Sequence, residues 1–350
     1  MNGVPDRLKS ALADHYMIER EMIGSGGMAT VYLALIFVAL GGVARANAQT
    51  NAEIVQRVAD EVWNRGNLTV ADQLFADDFI NHDPNPGGVT DLEGYKRWVL
   101  EWRAAFPDFH VEVHDLIAEG DKVAARYSVT GTHQGELFGV AASGIRVTMK
   151  GINIYRLDHG EIAEVHRSYD LLGLGQQVGY FEPPPEEVFP FSFARRTEPG
   201  DFRWGEPSAV TGAPGDPESN KALCVREIEE GWNQGNAAAV LQSVAPTFVW
   251  HSIYPEVTDY ESYIEWVEGH TDPDDSTQIT IEALIAEADK VVDLYSADLG
   301  GGMTLSGIRI SRFADGELVE MWRNEDVLPA LIAMGLFPAF PEFAAGDGEF

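Results

Sequence analysis

The sequence predicts an α+β protein: two curved antiparallel sheets, each with N-terminal helices packed on one face. Three observations carry this. One long block between Asn51 and Leu336 is written twice in the same order. Each copy opens with helical periodicity and closes with period-two runs, the signature of helices laid on an antiparallel sheet. A Pro- and Gly-rich stretch separates the copies.

In the first copy, residues 51–65 carry a helical apolar pattern that ends at Gly66, where a left-handed residue terminates a helix. A short helix over about 69–76 leads into Phe79-Ile-Asn-His82-Asp-Pro84, which reads as an extended turn. A third helix near 91–105 sets Tyr95, Trp98, Val99 and Trp102 on one side. Period-two runs follow at 109–119, 122–133, 145–157 and 161–169, with Gly-containing turns between them.

The second copy repeats this plan, its first helix over 221–234 ending at Gly235. Trp63, Gly66, Phe79 and His82 recur as Trp232, Gly235, Phe248 and His251. Asp91, Tyr95 and Trp98 recur as Asp259, Tyr263 and Trp266, and Leu116-Ile-Ala-Glu as Leu284-Ile-Ala-Glu. Gly151-Ile-Asn-Ile and Gly160-Glu recur as Gly307-Ile-Arg-Ile and Gly316-Glu, now twelve residues closer, which puts a deletion between Tyr295 and Gly307. Chance does not keep five blocks in order. The domain boundaries follow: 51–180, a linker over 181–218, and 219–340. Linker aromatics (Phe189, Phe191, Phe193, Phe202, Trp204) predict that part of it packs on a domain.

The net charge of −32 and the absence of any Lys/Arg stripe exclude a nucleic-acid partner and disfavour an anionic membrane surface. The single cysteine, Cys224, excludes an intrachain disulfide and sits in a helical apolar pattern as a core residue. Residues 16–34, with Gly24-Ser-Gly26-Gly, resemble the opening of a bacterial serine/threonine protein kinase. The resemblance then stops. No lysine follows before Lys96, and there is no catalytic-loop or metal-binding motif, so the chain is not a working kinase. Residues 22–48 are uncharged up to Ala44, with an Ala46-Asn-Ala48 end that suits export or a membrane anchor. The competing reading is a fusion scar or misplaced start, with a cytoplasmic product.

Candidate chemistry lies in the first copy. Glu164, His166, Ser168 and Asp170 alternate along one strand, and Asn153 shares a face with Gly151 and Tyr155 on the strand before it. Facing a cavity walled by Trp98, Trp102 and Tyr127, these groups would bind substrate. A desolvated Asp170 with raised pKa would move protons, aided by His82 and His133. The alternatives are that Asp170 caps the helix that follows and that the histidines serve turns or the surface. No His-x-His or His-Glu-x-x-His spacing supports a metal, and the chemistry calls for no cofactor.

Together Phe79-Ile-Asn-His82-Asp-Pro84, Phe106-Pro-Asp, Leu116-Ile-Ala-Glu-Gly-Asp-Lys-Val, Gly131-Thr-His133-Gln-Gly, Gly151-Ile-Asn-Ile-Tyr-Arg and Asp170-Leu-Leu-Gly-Leu-Gly-Gln-Gln-Val-Gly resemble the SnoaL-like polyketide cyclases of the nuclear transport factor two-like superfamily. The resemblance implies a cone-shaped α+β fold, cofactor-free acid–base ring closure, and a small apolar carbonyl-containing partner. It carries the family's aspartate onto Asp170 and its histidine onto His82, with second-copy equivalents Asp326 and His251. Where many relatives have Trp, this copy has His166 and the second keeps Trp322. The second copy, lacking a counterpart of His133, is expected to be a degenerate partner that pairs with the first inside the chain. The competing function is a non-catalytic binding or scaffold protein of the same fold.

Overall fold

The computed structural model describes residues 50–83, 89–185, 192–196, 202–272, 277–300 and 303–338. The kinase-like and apolar segments before residue 50 lie outside the described residues, as do Pro84, Phe189 and Phe191. No helix among the described residues is long and apolar enough to cross a membrane.

The first repeat runs through α1 (residues 50–63, π-wound over Val58–Trp63), α2 (Leu68–Leu74), β1 (Phe75–His82), α3 (Leu92–Ala105), β2 (His110–Glu119), β3 (Lys122–Thr132), β4 (Arg146–Asp158), β5 (Glu161–Tyr169) and α4 (Leu171–Val178). Asp91 starts α3 by accepting the Gly94 N–H at 2.7 Å. The second repeat copies the order as α5 (Pro217–Arg226, continued by π and 3₁₀ turns to Gln234), α6 (Ala237–Leu241), β6 (Val244–His251), α7 (Tyr260–His270), β7 (Gln278–Glu287), β8 (Lys290–Asp298), β9 (Thr304–Ala314), β10 (Glu317–Glu325) and α8 (Leu328–Ala333).

Each sheet has five strands, in the orders β1-β5-β4-β3-β2 and β6-β10-β9-β8-β7. The stretch Phe79–His82 is not a turn but the end of β1, which pairs parallel to β5, so the sheets are mixed rather than antiparallel. β1 is an edge strand whose burial alternates over only its last residues, which hides its period. The other pairs are antiparallel, and bulges between Val113 and Asp115 and between Ile281 and Ala283 bend both sheets at equivalent points.

Helices α1 and α3 cover one face of the first sheet, burying Val55, Val62, Tyr95, Trp98 and Trp102. This inner face holds the first core; Cys224, Val240, Trp250 and Tyr263 sit in the second. Cys224 is a core thiol, as expected, and burial pushes its pKa up. The back faces form a third cluster, with Ile117, Ala124, Ile152 and Ile154 against Ile285, Val292, Leu294, Ile308, Ile310 and Trp322. Reciprocal hydrogen bonds flank it. The Ala118 N–H donates to Glu287 at 2.8 Å and the Ala286 N–H to Glu119 at 3.0 Å, a pseudo-twofold arrangement. In the linker, Phe193 and Phe202 are buried, and Trp204 Nε1 donates to the Tyr127 carbonyl at 2.9 Å.

Candidate active site

Cross-strand partners in a sheet point to the same face. In the β4–β5 ladder, Asn153 pairs with Arg167 and Ile154 with His166. Asn153 faces the helices, so Arg167 and Tyr169 face them too, and Glu164, His166 and Ser168 are sent to the back. The expected polar face of β5 is therefore the wrong face, displaced by one residue.

Between the helices and the inner face lies a cavity of about 540 Å³, counting its open mouth. Of the residues expected to bind substrate, Asn153, Tyr155, Tyr127, Trp98 and Trp102 line it, together with Trp63, Met149, Arg167 and Tyr169. A hydrogen-bonded chain crosses its floor: Tyr127 Oη donates to Asn153 Oδ1 (3.3 Å), and Asn153 Nδ2 donates to Tyr155 Oη (3.1 Å). Burial pushes the Tyr127 phenol up, so it stays a neutral donor.

Arg167 is the cationic group of the site. Its Nε donates to Asn81 Oδ1 at 2.6 Å, and its guanidinium lies over the Tyr95 and Trp98 rings at 5.1 and 5.0 Å. Burial opposes its charge, but the surrounding tyrosine oxygens and Asp83 outweigh that and hold it protonated. Arg167 Nη2 and Trp102 Nε1 are buried without a partner. Tyr169 Oη donates to both Asp83 oxygens, at 3.2 and 3.0 Å.

The three residues expected to be catalytic stand elsewhere. Asp170 is 4% exposed, yet it borders a small cleft at the start of α4, not the cavity. It accepts the Gly173 N–H (2.9 Å) as the α4 cap and is clamped by Arg196 Nη1 and Nη2 at 2.6 and 2.7 Å. Burial would raise its pKa, but Arg196 prevails and holds the carboxyl below its ordinary value. The expected elevation is corrected to a depression. His133 is wholly buried against Phe106, with Nδ1 3.0 Å from Ser143 Oγ and its pKa lowered by burial, and it too is outside the cavity lining.

His82 is exposed and stacks on His166 at 4.1 Å on the back of the sheet. With Glu164 these two form the group among the described residues whose ligand atoms lie close enough for a cation. Strand pairing, invisible to sequence spacing, brings them together. Glu164 is already engaged by Arg156 at 2.6 Å, and parallel stacked rings do not converge their lone pairs on one point.

Residues 53–178 match the profile of the SnoaL-like polyketide cyclases, and residues 225–321 that of the SnoaL-like domain. The chain carries two SnoaL-like domains in tandem. It is 28% identical over 144 residues to the aklanonic acid methyl ester cyclase DnrD of Streptomyces peucetius, spanning 39% of this chain and 96% of that one. It is likewise 28% identical over 141 residues to the aklanonic acid methyl ester cyclase DauD of Streptomyces sp. strain C5, spanning 38% and 84%. Among solved structures, TsrD from Streptomyces laurentii is 27% identical, covering 38% of this chain and 97% of its own, with a TM-score of 0.35.

In the second SnoaL-like domain, Asp326, His251 and Trp322 also lie off the inner cavity. Asp326 is buried at the repeat boundary, accepting from Ser168 Oγ and Ser306 Oγ at 3.0 Å each. His251 Nε2 is 3.0 Å from Glu320, and Trp322 packs in the inter-repeat cluster beneath the Arg126 guanidinium at 4.5 Å. Sequence reasoning missed Arg167, Tyr169 and Trp63. The signal for the first two was strand register: a partner of Asn153 must share its face.

Proposed function

We propose that the first SnoaL-like domain is a cyclase-type enzyme that takes a small apolar ketone or ester and works by cofactor-free acid–base chemistry. One observation carries this beyond the family match. The cavity-lining polar atoms left without a partner, Arg167 Nη2 and Trp102 Nε1, are both hydrogen-bond donors. Donors held in an aromatic-walled site suit a carbonyl oxygen that gains charge as an enolate forms. The compound named for DnrD and DauD, aklanonic acid methyl ester, is the first candidate substrate.

The proton path runs through Tyr169. Its oxygen takes the proton next to the carbonyl while its own proton passes to Asp83, and the Arg167 guanidinium meets the enolate oxygen. The enolate carbon then attacks a second carbonyl of the same molecule, forming the ring bond. The new alkoxide recovers the proton from Asp83 through Tyr169, so the reaction is an isomerisation. Asp170, salt-bridged to Arg196, is assigned to positioning α4. We also propose that the repeats, bounded near 51–180 and 219–340, act as an in-chain dimer; the reciprocal Glu119 and Glu287 contacts support this.

Turnover of that ester is the test. Tyr169→Phe and Asp83→Asn should each lower kcat by about a hundredfold or more, and Arg167→Met should lower kcat/KM. Full turnover in all three variants would remove the proposal. The second reading, a non-catalytic binding domain, is favoured by the lack of any carboxylate or histidine among the described cavity-lining residues. It predicts ligand binding with no ring closure in the unaltered protein.

A further inference from the structure

The second cone is not an empty copy of the first. Its cavity, about 330 Å³ counting the mouth, is lined by Trp232, Trp266, Tyr295, Arg309 and Arg323 with two isoleucines. Read position by position, Val58, Ala125, Asn153 and Tyr169 of the first repeat become Glu227, Asp293, Arg309 and Glu325. Apolar and neutral groups have been exchanged for four charged ones.

We propose that this second cone is a binding site for a small organic carboxylate with a flat apolar body. Arg309 is 5% exposed and fixed from behind. Its Nε donates to Asp293 Oδ1 at 2.9 Å and its Nη1 to Glu227 Oε1 at 2.8 Å. Its Nη2 has no partner, and neither has Trp266 Nε1. Both residues line the cavity, so the unsatisfied groups presented there are donors, one of them on a cation. A guanidinium locked by two carboxylates costs little further ordering when an acceptor arrives, and planar N–H groups match carboxylate oxygens well.

Arg323 adds a second positive charge. Tyr295 accepts from its Nε at 2.8 Å, Glu325 also holds it, and its guanidinium lies over the Trp266 ring at 5.7 Å. Burial pushes the Asp293 carboxyl up, against the pull of Arg309. Trp232 and Ile228 supply an apolar wall for the body of the ligand.

Calorimetric titration of the full chain with benzoate, and with benzamide as its neutral isostere, tests this. Benzoate should bind, and benzamide should bind at least tenfold more weakly. Trp266→Phe removes the indole N–H and keeps a ring; Ile228→Trp fills the cavity while leaving every charged residue in place. Each should weaken benzoate at least about tenfold, while circular dichroism confirms that both variants fold. No benzoate binding, equal affinity for benzamide, or binding unchanged by Ile228→Trp (a ligand seated elsewhere) would each overturn the proposal.

Discussion

At the scale of single residues, Asp170 shows what a sequence can and cannot say. That it would precede and cap a helix was legible, because Asp before Leu171-Leu-Gly-Leu leaves backbone donors to satisfy. Its protonation state was not legible, because the deciding partner, Arg196, lies in a linker that no strand or helix pattern ties to it. Both side chains are almost fully buried, so breaking the pair strands a charge. Arg196→Met should destabilise the chain by about 3–5 kcal/mol, read by urea unfolding, and Asp170→Asn in the same chain should recover part of that loss. The pH dependence has a fixed sign. The folded-state pKa of Asp170 is depressed, so its contribution is fully present above the unfolded value. It is lost as pH falls through the lower, folded value.

At the scale of elements, strand positions and lengths were written in the period-two runs, but which face looked inward was not. Alternation names two faces; only pairing with a neighbour says which is which. Tyr155, Asn153 and Tyr127 share the cavity face because β3 and β4 pair without a break from Lys122↔Arg156 to Thr132↔Arg146. β5 was misread by one step, and β1 was missed as a strand. Gly151 makes the same ladder testable. A Cβ there would lie 2.6 Å from the Tyr127 ring end and 3.1 Å from the Ser168 carbonyl oxygen. Gly307 is the equivalent beneath Tyr295, where a Cβ would run into the tyrosine hydroxyl. Gly151→Ala should push Tyr127 into the cavity and break its bond to Asn153. We expect a stability loss of about 1–3 kcal/mol in chemical denaturation and weaker ligand binding. An Ala variant as stable as the parent would show that the tyrosine has room to shift.

At the scale of the whole molecule, duplication let two equivalent positions diverge. The repeat itself was legible from matched blocks; the burial of Asp326 at the seam was not, because its partners Ser168 and Ser306 come from different repeats. Asp170 and Asp326 border the same small cleft, yet burial dominates at Asp326 and its pKa is raised well above the ordinary value, since two hydroxyl donors replace a guanidinium. The linkage therefore runs opposite to that of Asp170. A carboxyl with a raised folded pKa holds its proton more tightly in the fold than in the unfolded chain. Stability is then greatest below the unfolded pKa and falls as pH rises towards the folded one. Asp326→Asn keeps the size, has no proton to lose, and still offers an acceptor to one serine while its amide donates to the other. The variant should be more stable than the parent at pH 8 and should lose that advantage as the pH approaches 4, in unfolding curves measured across the range. A parent that gains stability with rising pH relative to the variant would mean that Asp326 is ionised in the folded chain and that the seam holds a charge.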